Sequence, residues 1–218
     1  MHKFFSQLSW PELYLLTNHD QCEDRELLQD VEKVLENGTA IIQYRDKTKD
    51  RSKRLRQAKA LKQLTRKYGK ILIINDDIDL ALESNADGVH LGRQDGSLGK
   101  ARQLLGADAI IGVSCYNEFE RARQAAKDQA DYIAFGRFFN SSTKPSAPVA
   151  TTDLLQQARQ ELKLPIVAIG GITPDNAATL LAAGADMIAV IDAVFGQRDI
   201  NAASQQFINM LTTGTNRK

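Results

Sequence analysis

The stretch Lys70–Asp95, KILIINDDIDLALESNADGVHLGRQD, decides which fold this chain adopts. Its two apolar segments, Lys70–Asn75 and Gly88–Leu91, have the length of buried strands. Ile78–Ser84, which lies between them, has the length and apolar spacing of one short helix. A strand, a helix and a second strand in this order predict two parallel strands that end at the same edge of a sheet.

Both of these strands run into a carboxylate. Asp76 follows the first strand, and Asp95 lies shortly after the second. Two carboxylates at one edge suggest a hard divalent cation such as Mg²⁺, which takes oxygen ligands and keeps waters that a substrate phosphate can replace. Aspartates also cap helices and form turns, and this interpretation is favoured for either residue alone. For the pair on neighbouring strand ends, the metal site is favoured.

Length and composition predict one domain. A chain of 218 residues with 43% hydrophobic residues is long enough to bury one sizeable core. Because no linker or low-complexity run interrupts it, we expect a single domain over residues 1–218, with a core of about 12–212 and a frayed polar tail at 212–218. The formal net charge of +1 gives no reason to expect a nucleic-acid or membrane surface.

The cysteines and the first residues suggest the compartment. Cys22 and Cys115 show neither metal-ligand nor redox spacing, which is typical of a reducing environment. Met1–Pro11 lacks the continuous apolar core of a secretory signal, and no later run is long enough to cross a bilayer. We therefore expect a cytoplasmic protein. The sequence leaves open whether it forms a homo-oligomer.

Apolar runs of strand length alternate with amphipathic runs of helix length, which is typical of an α/β protein. The predicted strands are Glu12–Thr17, Ala40–Arg45, Lys70–Asn75, Gly88–Leu91, Ile110–Ser114, Tyr132–Gly136, Pro165–Ile169 and Met187–Ile191. The dipeptide Ala-Asp precedes a strand four times, at 86–87, 107–108, 130–131 and 185–186, which indicates equivalent units. Eight such units favour a single-domain (β/α)8 TIM barrel, whose site lies where the strands end.

The second strand ends in an unusual set of polar residues, Ala40-Ile-Ile-Gln-Tyr-Arg-Asp-Lys47. With the two-residue period of a strand, Gln43 and Arg45 lie on one face, and Lys47 continues that face. A solvated loop would also explain Asp46 and Lys47, but a shared pocket is favoured because charged residues are seldom buried without a partner. An amide, a guanidinium and an ammonium beside two metal carboxylates would hold a polyanion such as a diphosphate.

The fifth and sixth strand ends carry hydroxyl groups. Ser114 either donates to an anion or caps the following helix, and capping is favoured for this residue alone. The long segment after the sixth strand contains Ser141, Thr143 and Lys144, which are anion-binding residue types. A loop of this length in a compact domain is typical of an active-site lid, and this interpretation is favoured over a variable surface loop.

The seventh and eighth strand ends suggest a phosphate site. Gly170 and Gly171 let backbone N–H groups approach a ligand at the start of a helix, although a tight turn alone would also explain them. Barrels frequently bind phosphate between the loops after strands seven and eight, which makes Ile191 and Asp192 the expected neighbours.

The histidines offer no hydrolytic site. His2, His19 and His90 form neither a metal set nor a nucleophile set, and the strand ends supply no Ser/His/Asp or Cys/His arrangement. A hydrolase is therefore disfavoured. His90 lies on the strand that precedes Asp95 and is interpreted as a packing residue.

Six short motifs occur in a fixed order along the chain. They are Gln43-x-Arg45-x-Lys47, Asn75-Asp-Asp77, Ala86-Asp-Gly-Val-His-Leu-Gly92 with Asp95, Gly112-Val-Ser114, Ser142-Thr-Lys-Pro145 and Val167-Ala-Ile-Gly-Gly-Ile172. Together they resemble the thiamine-phosphate synthase family over almost the whole chain. The resemblance implies a (β/α)8 barrel that joins hydroxymethylpyrimidine diphosphate to a thiazole phosphate, giving thiamine phosphate and diphosphate with Mg²⁺.

The resemblance also implies a role for individual residues. The pyrimidine diphosphate would be held by Gln43, Arg45, Lys47, Asn75, Ser114 and Lys144, of which Arg45, Lys47, Ser114 and Lys144 would be catalytic. Mg²⁺ would be bound by Asp76 and Asp95. The thiazole phosphate would be surrounded by Ser141, Ser142, Thr143, Gly171, Ile191 and Asp192.

Three positions depart from the family's usual pattern, namely Arg93 in place of Gln, Ser141 in place of Thr and Asp192 in place of Ser. A carboxylate at Asp192 would repel a phosphate unless its side chain turns away. Two alternatives remain. A related thiazole tautomerase would need a histidine near the end of the fifth strand, where Tyr116 stands, and a noncatalytic barrel would only bind a phosphate ligand.

Overall fold

Eight parallel strands close into one barrel in chain order, and a helix follows each strand. The structure, a computed structural model, describes Phe5, Leu8 and residues 12–18, 23–140 and 148–214. The strands are β1 (Glu12–Leu16), β2 (Ile41–Tyr44), β3 (Ile71–Asn75), β4 (Gly88–Leu91), β5 (Ile110–Tyr116), β6 (Tyr132–Phe135), β7 (Ile166–Ile169) and β8 (Met187–Val190). The helices are α1 (Asp24–Glu36), α2 (Arg51–Lys67), α3 (Ile78–Ser84), α4 (Leu98–Leu105), α5 (Phe119–Lys127), α6 (Thr152–Glu161), α7 (Pro174–Ala182) and α8 (Ile200–Gly214). The predicted (β/α)8 TIM barrel is confirmed.

All eight predicted strands are present, with ends that differ by at most two residues. The end of β2 shows the physical reason for such a difference. The amide of Arg45 donates to the side-chain Oγ1 of Thr17 at 2.9 Å and not to a neighbouring strand. β2 therefore ends at Tyr44, one residue earlier than predicted. β5, in contrast, continues to Tyr116, two residues beyond the prediction.

Strand residues alternate between two apolar layers. Tyr14, Ile41 and Tyr132 belong to the cluster inside the barrel. Ile42 and Tyr44 belong to the larger cluster between the strands and the surrounding helices. The predicted alternation along β2 is therefore confirmed, and it directs Gln43 and Arg45 toward the barrel axis.

At the amino-terminal face of the barrel, three of the four Ala-Asp dipeptides form the same contacts. Each aspartate forms two hydrogen bonds with one residue near the start of the preceding odd-numbered strand. The amide of the aspartate donates to the carbonyl of that strand residue, and the carboxylate of the aspartate accepts from its amide. A cation from the helix before that strand pairs with the carboxylate. The sets are Asp87 with Leu72 and Lys62, Asp131 with Ile111 and Arg102, and Asp186 with Ile166 and Arg159. These contacts tie strands to helices on the face opposite the site.

The first three residues of the polar tail predicted at 212–218 are helical, and residues 215–218 lie outside the described part of the chain. α8 continues to Gly214, and the hydroxyls of Thr212 and Thr213 donate to carbonyls one turn earlier. These polar side chains thus find hydrogen-bond acceptors within the helix. Among the described residues, no helix has the length and apolar character needed to cross a membrane.

Candidate active site

The carboxyl ends of the strands surround a cavity of about 360 Å³, where the barrel prediction placed the site. Of the predicted substrate-binding residues, its walls contain Gln43, Arg45, Asn75, Ser114, Gly171, Ile191 and Asp192. Lys47, Asp76 and Asp95 line an adjoining recess, which shares Asn75 with the cavity. Ser141, Ser142, Thr143 and Lys144, together with most of the predicted lid, lie outside the described residues. The described members of the set thus surround one cavity and its recess, and their roles stay predictions.

The loop after β2 divides its charged residues between two environments. Asp46 is buried, pairs with Lys53 at 3.1 Å and accepts from the amide of Thr48 at 2.7 Å. Lys47 extends into the recess and pairs with Asp76. A solvated loop is therefore the wrong interpretation for Asp46. Its buried carboxylate holds the loop in the conformation that directs Lys47 toward the recess.

A chain of hydrogen bonds crosses the floor of the cavity and joins side chains from five strands. Nε2 of Gln43 donates to the hydroxyl of Tyr14 at 2.7 Å, and this oxygen lies 2.7 Å from the hydroxyl of Tyr132. The Tyr132 hydroxyl lies 3.0 Å from Nδ1 of His90. Nε2 of His90 lies 2.8 Å from Oγ of Ser114. Gln43 and Ser114, the two predicted substrate-binding residues at the ends of this chain, are therefore linked through three buried side chains.

The chain of hydrogen bonds corrects two interpretations drawn from the sequence. Ser114 does not cap a helix, because α5 begins at Phe119 and its N-cap is Glu118. His90 lines the cavity and contacts Ser114, so the interpretation as a packing residue missed its position in the site. Burial raises the pKa of the Tyr14 and Tyr132 phenols, so both remain neutral hydrogen-bonding groups at physiological pH.

The turn after β3 gives its two aspartates different tasks. Asp76 has φ 66°, in the left-handed region, and its amide donates to the carbonyl of His90 at 2.8 Å. This turn directs the Asp76 carboxylate into the recess. Asp77 accepts from the amide of Leu80 at 2.8 Å and pairs with Arg54, so it caps α3. Asp76 therefore does not cap α3, which is the task of Asp77.

Asp95 completes the carboxylate pair. Its Oδ2 accepts from the amide of Gly92 at 2.7 Å, and α4 is capped by Ser97 instead. The Asp76 and Asp95 carboxyl groups both line the recess. Burial and the neighbouring Asp76 raise the pKa of Asp95. Burial also opposes ionisation of Asp76, but hydrogen bonds from Lys47 and Asp95 outweigh it and hold the pKa of Asp76 below its ordinary value.

This pair fits a Mg²⁺ site. Two carboxyl groups at one recess offer the oxygen ligands that a hard divalent cation prefers. Among residues 12–18, 23–140 and 148–214, His, Cys, Asp and Glu side chains form no metal-binding cluster of three or more. Two protein carboxylates are nevertheless enough for Mg²⁺, which takes its remaining ligands from water and substrate phosphate.

The turn after β7 lies on the other side of the cavity. Gly170 and Gly171 have φ of 105° and 65°, in the left-handed region that favours glycine. A Cβ on Gly171 would lie 2.2 Å from the carbonyl oxygen of Asn140, so the loop after β6 packs directly on this turn. Asn176 accepts from the amide of Thr173 and donates to the carbonyl of Gly171 at 3.1 Å, which fixes the turn. The glycines therefore serve both the turn and the cavity wall.

Asp192, at the end of β8, is held from two sides. Its Oδ1 accepts from Nδ2 of Asn18 at 2.7 Å, and its carbonyl accepts from Nε2 of Gln197 at 2.9 Å. Asp192 and Gln197 line the cavity, whereas Asn18 is not part of its wall. The amide of Asn18 therefore offsets part of the repulsion that the carboxylate would exert on an anion in the cavity.

The comparison with known proteins decides the family. Residues 13–194 match the sequence profile of the family described as thiamine monophosphate synthase. The chain belongs to this family. A thiamine-phosphate synthase from Azoarcus sp. (strain BH72) is 54% identical over 187 residues, covering 86% of this chain and 90% of that protein. The solved structure of a thiamine phosphate pyrophosphorylase from Pyrococcus furiosus matches with a TM-score of 0.84 and 35% identity, covering 94% of this chain and 96% of that one.

A more distant structural neighbour shares the fold alone. The (S)-3-O-geranylgeranylglyceryl phosphate synthase from Thermoplasma acidophilum is 16% identical, with a TM-score of 0.74 over 98% of this chain and 99% of that one. The sequence resemblance to the thiamine monophosphate synthase family is thus confirmed.

Arg93, one of the departures from the family pattern, packs beside Tyr116. The Tyr116 hydroxyl accepts from the amide of Arg93 at 3.2 Å, and the guanidinium lies 5.3 Å from the centre of the ring. Arg121 lies 5.8 Å from the same ring. These contacts hold Tyr116 at the cavity wall, at the position where the tautomerase alternative predicted a histidine.

Sequence reasoning missed several residues that line the cavity. They are Tyr14, His90, Tyr116, Arg137, Asn140 and Gln197. The two-residue alternation contained a signal for two of them, because Tyr14 and His90 interrupt apolar strands at inward-facing positions. Arg137 and Asn140 carried no such signal, because the chain there leaves β6 and follows no regular period.

Proposed function

We propose that this protein is a thiamine-phosphate synthase, which joins hydroxymethylpyrimidine diphosphate to hydroxyethylthiazole phosphate and releases diphosphate. The observation that supports this proposal is that residue types suited to binding anions lie on two different sides of one cavity. Arg45 and Lys47 follow β2, whereas Gly170 and Gly171 follow β7. A reaction between two phosphorylated substrates requires two such regions, and a barrel that only binds one phosphate ligand does not.

The diphosphate side of the site lies around the ends of β2 and β3. Arg45 offers a planar guanidinium that matches phosphoryl oxygens, and Lys47 adds a compact charge at the border with the recess. Gln43, whose Oε1 is buried and lacks a hydrogen-bond partner within the described part of the chain, has an acceptor for the amino group of a pyrimidine. Ser114 and Asn75 supply further hydrogen-bonding groups on the same wall.

Mg²⁺ would be held by Asp76 and Asp95, and when bound it would supply positive charge to the departing diphosphate. This assignment rests on the carboxylate pair and its position beside Asn75 and Lys47. The contact between Lys47 and Asp76 keeps the ammonium at the recess, so it also meets an anion that enters there.

The reaction breaks the bond between the pyrimidine methylene carbon and the diphosphate oxygen, and the electron pair leaves with the diphosphate. The thiazole nitrogen then forms a bond to the methylene carbon. No strong base is needed, because the amino-pyrimidine delocalises the positive charge that develops. Arg45 and Lys47 stabilise the departing anion, an effect that is worth several kcal/mol in a water-excluded site. Lys144 of the predicted lid would add a third cation.

Product analysis tests this function. The purified protein is mixed with both substrates, with Mg²⁺ in one sample and a chelator in another, and thiamine phosphate is quantified by chromatography. We expect thiamine phosphate and an equal amount of diphosphate only with Mg²⁺. A folded protein that forms neither product would refute the proposal and leave the noncatalytic barrel as the better reading.

The tautomerase alternative has no observation in its favour, because the end of β5 carries Tyr116. That residues 1–218 form a single domain stays a prediction, as do a cytoplasmic location and assembly into a homo-oligomer.

A further inference from the structure

Arg137 is a charged residue of the cavity wall to which the proposed reaction assigns no task. The described cavity wall contains three residues of the Arg, Lys, Asp and Glu types, namely Arg45, Arg137 and Asp192, and one histidine, His90. Arg45 follows β2 and Arg137 follows β6. In a closed barrel of eight strands in chain order, β2 and β6 are four strands apart, so the two guanidinium groups enter from opposite walls.

The backbone fixes Arg137 next to the glycine turn after β7. A Cβ on Gly170 would lie 2.3 Å from the Cβ of Arg137, so the two segments are in direct contact. The amide of Phe139 donates to the carbonyl of Gly170 at 3.0 Å, and the amide of Ala150 donates to the carbonyl of Arg137 at 2.8 Å. Backbone hydrogen bonds therefore connect the segment around Arg137 to Gly170 and to Ala150. They fix the Cα of Arg137 beside the glycine turn.

The guanidinium stays at this corner of the cavity. Its Nη1 lies 3.2 Å from Oδ1 of Asn140 and 3.4 Å from the carbonyl oxygen of Phe139. The backbone of Asn140 is in turn the group that packs on Gly171. A guanidinium carries five N–H donors in a planar fork, and this geometry suits the oxygens of a phosphate group.

We propose that Arg137 binds the phosphate of the thiazole substrate and determines the preference for phosphorylated thiazole over the corresponding alcohol. This inference rests on the proposed function. A phosphate at the Gly170–Gly171 turn meets neutral N–H groups there and the Asp192 carboxylate on the neighbouring strand end. Among the cavity residues that the structure describes, Arg137 supplies the positive charge on this side, since Arg45 lies on the opposite wall.

Steady-state kinetics of Arg137→Gln and Arg137→Lys test this inference. For Arg137→Gln, we expect the KM for thiazole phosphate to rise roughly ten- to a hundredfold, because a charge-assisted hydrogen-bonding partner is lost. The KM for pyrimidine diphosphate should change less than about twofold, and the preference for thiazole phosphate over thiazole alcohol should fall by the same factor as the KM rises. Arg137→Lys should restore part of the loss, because it keeps the charge without the fork.

Arg123→Gln is the matched control, because it removes the same charge from the outer surface of α5, where Arg123 pairs with Glu120 and Glu161. It should leave both KM values unchanged. An unchanged KM for thiazole phosphate in Arg137→Gln would overturn the inference. An equal rise of both KM values in the Gln and Lys variants, with a lower Tm, would also overturn it and indicate a purely structural role.

Calorimetric titration with thiazole phosphate alone separates this inference from the proposed function. If the wild-type protein formed no product but bound thiazole phosphate at least tenfold more tightly than Arg137→Gln, the synthase proposal would fail and the assignment of Arg137 would stand. If the wild-type protein turned over and both proteins bound thiazole phosphate equally, only the assignment of Arg137 would fail.

Discussion

Nε2 of His90 lies 2.8 Å from Oγ of Ser114, so a residue of β4 contacts a residue of β5 that is predicted to bind the substrate. On its other side, Nδ1 of His90 lies 3.0 Å from the Tyr132 hydroxyl. The hydrogen bond at Nδ1 influences which ring nitrogen carries the proton, and hence whether Nε2 donates to Ser114 or accepts from it. The orientation of the Ser114 hydroxyl therefore depends on phenols at the floor of the cavity.

Replacing Tyr132 by Phe tests this dependence. Because the buried hydroxyl of Tyr14 and the imidazole of His90 each lose a partner, we expect the free energy of unfolding to fall by about 1–3 kcal/mol. The KM for pyrimidine diphosphate should rise roughly three- to tenfold, since Ser114 is no longer held in one orientation. Urea unfolding and initial rates measure these effects.

Tyr68→Phe provides the comparison, because it removes a hydroxyl that bonds to Glu32 on the outer surface. It should change neither quantity appreciably. If Tyr132→Phe behaved like this control, the chain of hydrogen bonds would have no role in binding.

The neighbours Asp76 and Asp77 allow a test of the metal site within one turn. Asp76→Asn should reduce turnover by orders of magnitude and raise the Mg²⁺ concentration for half-maximal activity, because Asp76 shares the recess with Asp95. Asp77→Asn should lower the free energy of unfolding by less than about 1 kcal/mol, because the amide oxygen still caps α3 and only the ion pairs with Arg51 and Arg54 are lost. Its Mg²⁺ dependence should match that of the wild type. Equal Mg²⁺ dependence in both variants would contradict the assignment.

The ion pair of Asp131 should affect stability without affecting the reaction. Asp131→Ala removes the acceptor for the amide of Ile111 and the partner of Arg102, so we expect a loss of about 1–3 kcal/mol in the free energy of unfolding. Asp131→Asn should cost less, because its amide oxygen still accepts from Ile111. Rates measured below the unfolding transition should stay unchanged in both, since the pair lies on the face opposite the cavity. A lower kcat in a fully folded variant would show coupling between the two faces.

The Cys115 thiol reports on opening of the barrel. It is fully buried, and burial raises the pKa of Cys115 to about 12. Because the thiolate forms only as the pH rises through this pKa, about one thiol in ten thousand is ionised at pH 8. In a Cys22→Ser background, a thiol reagent at pH 8 should therefore react only when urea unfolds the protein. Rapid reaction in native buffer would contradict the buried, protonated state.

How far the sequence predicts the site depends on whether a residue follows a regular period. Gln43 and Arg45 were placed correctly because β2 alternates, and one of its faces packs against the barrel interior. Asp76 and Asp77 have equivalent sequence signals, and only the structure shows that Asp77 caps α3 whereas Asp76, at a left-handed φ, pairs with Lys47. Arg137 belongs to an irregular loop, so its position depends on the backbone contacts with β7.

The sequence by itself determined the eight strand and helix units, the barrel they build and the family, because these depend on local periodicity and on short motifs along the chain. The tertiary structure alone decided which side chains meet. Tyr14, Gln43, His90, Ser114 and Tyr132 come from five strands and are linked only because the sheet closes and directs alternate residues inward. Barrel closure likewise sets Arg45 and Arg137 on opposite walls, a relation between distant residues that no local pattern contains.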